Sequence, residues 1–237
     1  SISRLEEDLG VRLFHRTTRQ VTLTSDGLEL HARCKHISDE IEALRDEAAG
    51  TRSEPSGTLR ISVPVVVGRE LVLPALNELA RRHPRLSLEV AFSDRYADLV
   101  KEGLDAVVRV GSLRDSTLVG RKIGEQHLVI CASPAYLKQH GIPRKPADLM
   151  LHECVCFRVP TTGIARPWQF REGGRNLEVR PASRIIMNEG EALVAAATAG
   201  LGLIQVPEIM AAARIKRGEL SEVLARYAPA PMPISLV

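Results

Sequence analysis

A chain of 237 residues, 44% of them hydrophobic, can fill the cores of two or three domains. The formal net charge of +3 is too small to imply a nucleic-acid partner, and residues 1–57 carry 8 Lys+Arg against 11 Asp+Glu, a balance of −3; such a role has to rest on where individual cations sit. No apolar run approaches the roughly 20 residues needed to span a bilayer, and no charged-then-apolar leader opens the chain, the pattern of a cytoplasmic protein with no membrane partner.

Leu5, Leu9, Leu13 and Phe14 fall three or four residues apart and predict one apolar helical face, packed on a core, with Arg4, Glu6, Glu7 and Asp8 opposite. Gly10 can adopt the positive φ that closes such a helix. Residues 15–18 and 21–24 then alternate polar and apolar side chains around Arg19-Gln20, predicting a β-hairpin that carries Arg16 and Arg19 with no acid among them. Helix plus hairpin reads as the second half of a winged helix-turn-helix, and the partner is double-stranded promoter DNA. Its candidate contacts are Ser1, Ser3, Arg4, Arg12, Arg16, Thr17, Thr18 and Arg19.

Thr24 is placed to N-cap a helix over 25–49, about 37 Å long. Along it Leu30, Cys34, Ile37, Ile41, Leu44 and Ala48 recur at heptad spacing, a seam that calls for a second helix and predicts dimerisation. Two heads would then face two half-sites. The run G-T-R-S-E-P-S-G at 50–57 breaks the helix and reads as a hinge. Beyond it come a strand at 59–63, a helix at 71–82, a strand at 86–92, a helix at 94–102 and a strand at 106–110, a βαβαβ pattern that predicts a parallel sheet. A strand at 127–132 and a helix capped by Ser133 follow. The second lobe has strands near 154–157, 169–171, 184–187 and 203–206, and helices at 189–199 and 207–217.

Two α/β lobes leave a cleft at the carboxyl ends of their strands. The turn Val63, Pro64, Val65, Val66, Gly68 offers backbone N–H groups to an anion. Arg109 breaks an apolar run and suits either a cleft cation or a structural ion pair with a helix acid. Phe157 and Arg158 end one strand, Val206 ends another, and Asn188 and Gly190 begin a helix, where Asn188 suits an N-cap, a cleft contact or both. A ligand in such a cleft is expected to be a small organic molecule, with no other cofactor.

The order L-E-x-x-L-G-x-x-L-F at 5–14, R-T-T-R at 16–19 and L-T-x-x-G at 23–27 resembles the LysR-type transcriptional regulators. The likeness continues through S-P-A-Y-L at 133–137 and A-G-L-G-L at 199–203 and covers nearly the whole chain. It implies a multi-domain protein with a winged helix-turn-helix head and long linker helix, plus an α/β two-lobed effector domain similar to type II periplasmic binding proteins. By that resemblance the segments are a partial DNA-binding domain at 1–24, a linker helix at 25–49, a hinge at 50–57, lobe I at 58–133 with 229–237, and lobe II at 134–228. It also implies a homotetramer built as a dimer of dimers, with RNA polymerase as a further partner. In that family the DNA-binding domain starts about two helices earlier, so the chain is expected to lack its first helices and a last helix beyond Val237. The turn at 63–68 is apolar where many relatives carry a hydroxyl, which shifts any carboxylate contact to backbone donors.

Cys34, Cys131, Cys154 and Cys156 form no C-x-x-C pairs and read as reduced structural thiols, with no metal site. Neither G-x-S-x-G nor H-E-x-x-H occurs, so no enzyme activity is expected. Gly200-Leu201-Gly202 follows a helix and precedes a strand, the reverse of a dinucleotide site, and reads as a helix end. The alternative reading is a solute-binding or sensor module without sequence-specific DNA binding.

Overall fold

A computed structural model describes residues 2–16, 21–48, 55–95, 99–111, 120–160 and 162–237. They divide into two units, residues 1–63 with 71–107 and residues 64–70 with 108–237.

The first unit opens with the helix Ile2–Leu9, which ends where Gly10 takes φ +69°. Because that left-handed turn resets the chain direction, Leu13 and Phe14 leave the helix and belong to the hairpin approach. The single packed face expected over residues 5–14 is therefore corrected: Leu13 is buried, while Leu5 and Leu9 stay 45% and 46% exposed. The hairpin pairs Phe14–Arg16 with Val21–Leu23, His15 opposite Thr22. Two side chains lock it to the helices. The Glu6 carboxylate accepts from Leu13 N at 2.7 Å and Phe14 N at 3.2 Å. The Thr24 hydroxyl donates to the Arg12 carbonyl at 2.6 Å and accepts from Gly27 N at 2.9 Å, the N-cap expected for the following helix. Gly27 lies so close that a Cβ there would overlap the Leu13 carbonyl.

The linker helix, Ser25–Ala48, is about 36 Å long. Lys35 on it pairs with Glu89 at 3.0 Å, and Glu89 also holds Arg60 Nε at 3.1 Å. Gly57–Val63 lies between Leu86–Phe92 and residues 106–107, parallel to both, so the βαβαβ expectation holds. The helix expected from residue 71 is corrected at its start. Val65–Val67 is already one helical turn, Gly68–Val72 is a π-turn, and the α-helix proper is Leu73–Arg82. Pro74 has no N–H to close onto the turn before it, which leaves the wider ring as the way to continue. Leu99–Glu102 is helical, but Asp94 and Arg95 form a bend, so the helix expected from 94 is shorter among the described residues.

In the second unit Met232–Leu236 runs antiparallel to residues 108–110 and to Arg121–Gln126, a strand too polar for its pattern to announce. Leu128–Ala132, buried at all five positions, pairs antiparallel with Ile204–Pro207 and Ser221–Val223. Val155–Phe157 lies parallel to Ile185–Met187 and is joined to Leu203 by a parallel bridge at Cys154. It is buried on both faces. Val155 meets Leu193, Val194, Ile204 and Val206 on one side, and Cys154 and Cys156 meet Tyr136, Leu149, Trp168 and Phe170 on the other. Trp168–Glu172 turns back into Arg175–Val179, a strand absent from the expectations, as are Ser221–Val223 and Met232–Leu236. Ser133 caps its helix by accepting from Tyr136 N at 3.2 Å, and Gly200 at φ +84° ends the helix Gly190–Thr198, as the turn reading of Gly200-Leu201-Gly202 required.

Replacing Gly27 with alanine must push the linker helix away from the Leu13 carbonyl. The expected loss is roughly 1–3 kcal/mol, read from urea unfolding, with faster amide exchange at Leu13 and Phe14. An unchanged unfolding curve would mean that the helix start is not seated on the hairpin.

Candidate functional sites

On the DNA side, the structure places Ser3, Arg4 and Arg12 on the exposed surface of the head. Arg16 ends the first hairpin strand. Ser1, Thr17, Thr18 and Arg19 lie outside the described residues, as does the Arg16 side chain. The locks at Glu6 and Thr24 fix the hairpin's root against both the first helix and the linker helix. On the linker helix Cys34 is exposed, and so are Ile37 at 54%, Ile41 at 46% and Leu44 at 63%, while Leu30 is half-buried and the Ala48 side chain is outside the described residues. So many large apolar groups on one seam need a cover.

On the effector side, Val63 is buried in the first unit. The other candidates fall in the second. Pro64 precedes the turn Val65–Val67, and Gly68 N donates to the Pro64 carbonyl at 2.6 Å. Val66 is half-buried against a core whose margin includes Phe157 and Met187. Arg69 Nη2 lies 2.6 Å from Glu191 Oε1, and its Nε 2.9 Å from Glu70 Oε1. These carboxylates, Glu70 first, hold the guanidinium's pKa above its ordinary value. Gly190 meets Met210 so closely that a Cβ would overlap the methionine tip.

Asn188 is corrected. It is exposed, and the N-cap of Gly190–Thr198 is Glu189, whose carboxylate accepts from Glu191 N at 3.1 Å and Ala192 N at 2.7 Å. At Glu189, φ −129° and ψ 124° let the longer side chain fold back over the first turn, and a full negative charge suits the positive end of the helix. Arg158 is exposed, its N donating to the Met187 carbonyl at 2.6 Å, and Phe157 lies 5.0 Å under the Arg166 guanidinium. Arg109 is half-buried opposite Ser235, and Val206 lies inside the core rather than on an open face. Val66, Phe157 and Gly190 thus each pack against the same large core cluster, Gly190 through Met210. Arg69, Glu189 and Glu191 were missed, although acids at a helix start are a visible signal.

The four thiols are free, with Cys34 exposed and the other three buried. Burial pushes Cys131 and Cys154 up to about 12 and raises Cys156. His152 Nδ1 lies 3.3 Å from the Tyr136 hydroxyl, and burial, then His140, lowers the pKa of His152. Among the described residues no His, Cys, Asp or Glu cluster is arranged to hold a metal ion, and no helix is long and apolar enough to cross a membrane.

Residues 1–28 match the family of bacterial regulatory helix-turn-helix proteins, lysR family, and residues 52–237 match the LysR substrate binding domain. An HTH-type transcriptional regulator of Escherichia coli K12, YhjC, is 35% identical over 100% of this chain and 79% of its own length. The HTH-type transcriptional activator AaeR of the same organism is 33% identical over 99% of this chain and 75% of its own length. Among solved structures, the full-length virulence activator AphB of Vibrio cholerae aligns with a TM-score of 0.69 at 28% identity, covering 99% of this chain and 80% of that one. CrgA of Neisseria meningitidis, a LysR-type transcriptional regulator, aligns with a TM-score of 0.67 at 28% identity, covering 100% and 80%.

The thiols have a direct readout. At pH 8 a disulfide reagent should label Cys131, Cys154 and Cys156 only after unfolding, so that Cys34 alone is open to it in the folded chain and then only as far as a paired linker helix allows. Raised folded-state pKa values also mean that the buried thiols' stabilisation is intact below about 9 and is lost as pH climbs towards about 12, because only the unfolded chain ionises early. Rapid native labelling of more than one thiol would contradict this burial.

Proposed function

The chain belongs to the LysR-type transcriptional regulators, DNA-binding proteins with a substrate-binding domain, and on that premise we propose how this member works. The head grips promoter DNA, with the Arg16 hairpin against the phosphates and Arg4 and Arg12 beside it. Linker helices pair along Cys34, Ile37, Ile41 and Leu44, giving homodimers that assemble further into a homotetramer. A small organic acid is received in the second unit beside Pro64, Val66, Phe157 and Gly190, and it is bound without being turned over. Its binding shifts the population of two body arrangements and so the spacing of the heads, through residues 50–57. The protein acts in the cytoplasm, where promoter contact brings RNA polymerase within reach.

The observation that carries this reading is the exposed seam at Ile37, Ile41 and Leu44 on a helix whose start is bolted to the hairpin. A second linker helix covers the seam and sets two hairpins a fixed distance apart. The decisive experiment is footprinting of the protein on the DNA beside its own gene, with and without organic acids. Protection of two half-sites on one face of the duplex is expected; a chain that binds no promoter fragment overturns the reading in favour of a ligand-binding module.

Two variants sharpen it. Arg16→Ala with Arg19→Ala should weaken binding to every sequence and reduce the log–log salt slope by about 2, measured by fluorescence anisotropy. Ile37→Asp with Ile41→Asp should dissociate the dimer in sedimentation and lower promoter affinity at least about tenfold; an unaltered sedimentation coefficient would remove the seam from the account.

A further inference from the structure

Arg69 reaches across the second unit. Its guanidinium joins the segment 64–70 to the start of the helix Gly190–Thr198 through Glu191, and it is held at the same time by its chain neighbour Glu70. A third acid, Glu189, sits at the same helix start, engaged with two backbone N–H groups. Two carboxylates already engage this one cation, and a third closes the helix start beside Glu191, so no side of the guanidinium is offered to an added anion without competition. An anion can enter only by exchange.

Glu191 is the partner that can be exchanged. Its bond to Arg69 is between side chains that are 44% and 39% exposed, and ion pairs this open to water are worth at most about 1 kcal/mol. Glu70 stays because it is the next residue in the chain, and Glu189 stays because its two oxygens are committed at a helix N-terminus. The freed guanidinium edge matches a carboxylate's geometry. Three residues before Arg69, Val66 is half-buried against the unit's apolar core, so the same segment also offers an apolar side chain.

We infer that Arg69 selects the effector's charge and that Glu191 is the chain's own stand-in for the effector's carboxylate: a small apolar monocarboxylate takes Glu191's place on Arg69 and so breaks the bridge between residues 64–70 and the helix Gly190–Thr198. This rests on the proposed reading of that surface as the effector site. Two consequences follow from the exchange. Affinity is held down by an internal competitor, and ligand binding is tied to the loss of one structural link, which is what a ligand needs in order to favour one arrangement over another.

The test is calorimetric titration of the full chain with benzoate, with neutral benzamide and with benzylamine, in the native protein and in Glu191→Gln, Arg69→Gln and, as a charge control, Glu178→Gln. Benzoate should bind more tightly than benzamide to the native protein. Glu191→Gln should tighten benzoate roughly two- to fivefold and leave benzamide unchanged, while Glu178→Gln should leave both unchanged. Arg69→Gln should abolish the difference between the two ligands. Because the Glu191 variant gains binding, misfolding cannot imitate the result. Equal binding of benzoate and benzamide, a preference for benzylamine, or benzoate no tighter to Glu191→Gln than to the native protein overturns the proposal. None of these titrations contains DNA, so failure of promoter binding counts against the regulator reading alone, and failure of the titration pattern against Arg69 and Glu191 alone.

Discussion

The head depends on a stretch of backbone, Arg12 to Phe14, held from both sides. Glu6 reaches forward from the first helix to accept its N–H groups, and Thr24 reaches back from the start of the linker helix to bind the Arg12 carbonyl. Thr24 is buried, so its hydroxyl has no water to fall back on, and each lost contact would cost about 1–3 kcal/mol. Gly27, in contact with the Leu13 carbonyl, closes the third side. A hairpin of two three-residue strands would be marginal alone. Bolted in this way, the hairpin and the start of the linker helix form one piece.

The second unit is organised differently. Val155–Phe157 is buried on both faces and carries the two core clusters that flank it. The packing around this strand is close, down to Gly190 against Met210 and Gly202 against the Glu153 carbonyl, with the Ser183 hydroxyl donating to the Cys154 carbonyl at 2.7 Å. At the start of the helix Gly190–Thr198, Glu191 meets Arg69 while Glu189 caps the backbone. The start of the helix Gly190–Thr198 is filled by the chain's own carboxylate, Glu189, so a ligand's charge is not met by that helix end.

Much of this was legible in the sequence, for physical reasons that also explain the gaps. The Thr24 and Ser133 caps and the βαβαβ pattern each follow from local sequence, and each stands in the structure. The strands Arg121–Gln126 and Arg175–Val179 were missed because they are largely exposed and polar, so they leave no apolar alternation to read. The π-turn at Gly68–Val72 arises from an absent N–H at Pro74, which no periodicity reports. At the candidate site, the turn at 64–68 was visible as a break between strand and helix. Arg69 was not, because its meaning depends on Glu191, 122 residues further along the chain.

Signal transmission needs some contacts that yield and others that do not, and their strengths can be ranked here. Arg60 is only 11% exposed, so its pair with Glu89 is the better shielded from water of the two that this carboxylate makes. Lys35 meets the same carboxylate from the linker helix but is 46% exposed, and its pairing is worth about 0.2–1 kcal/mol. Glu89 therefore stays with the sheet and releases the helix first. Of the two ion pairs on Glu89, the one that ties the linker helix to the sheet is thus the weaker, while the junction of that helix with the hairpin rests on the hydrogen bonds of the buried Thr24.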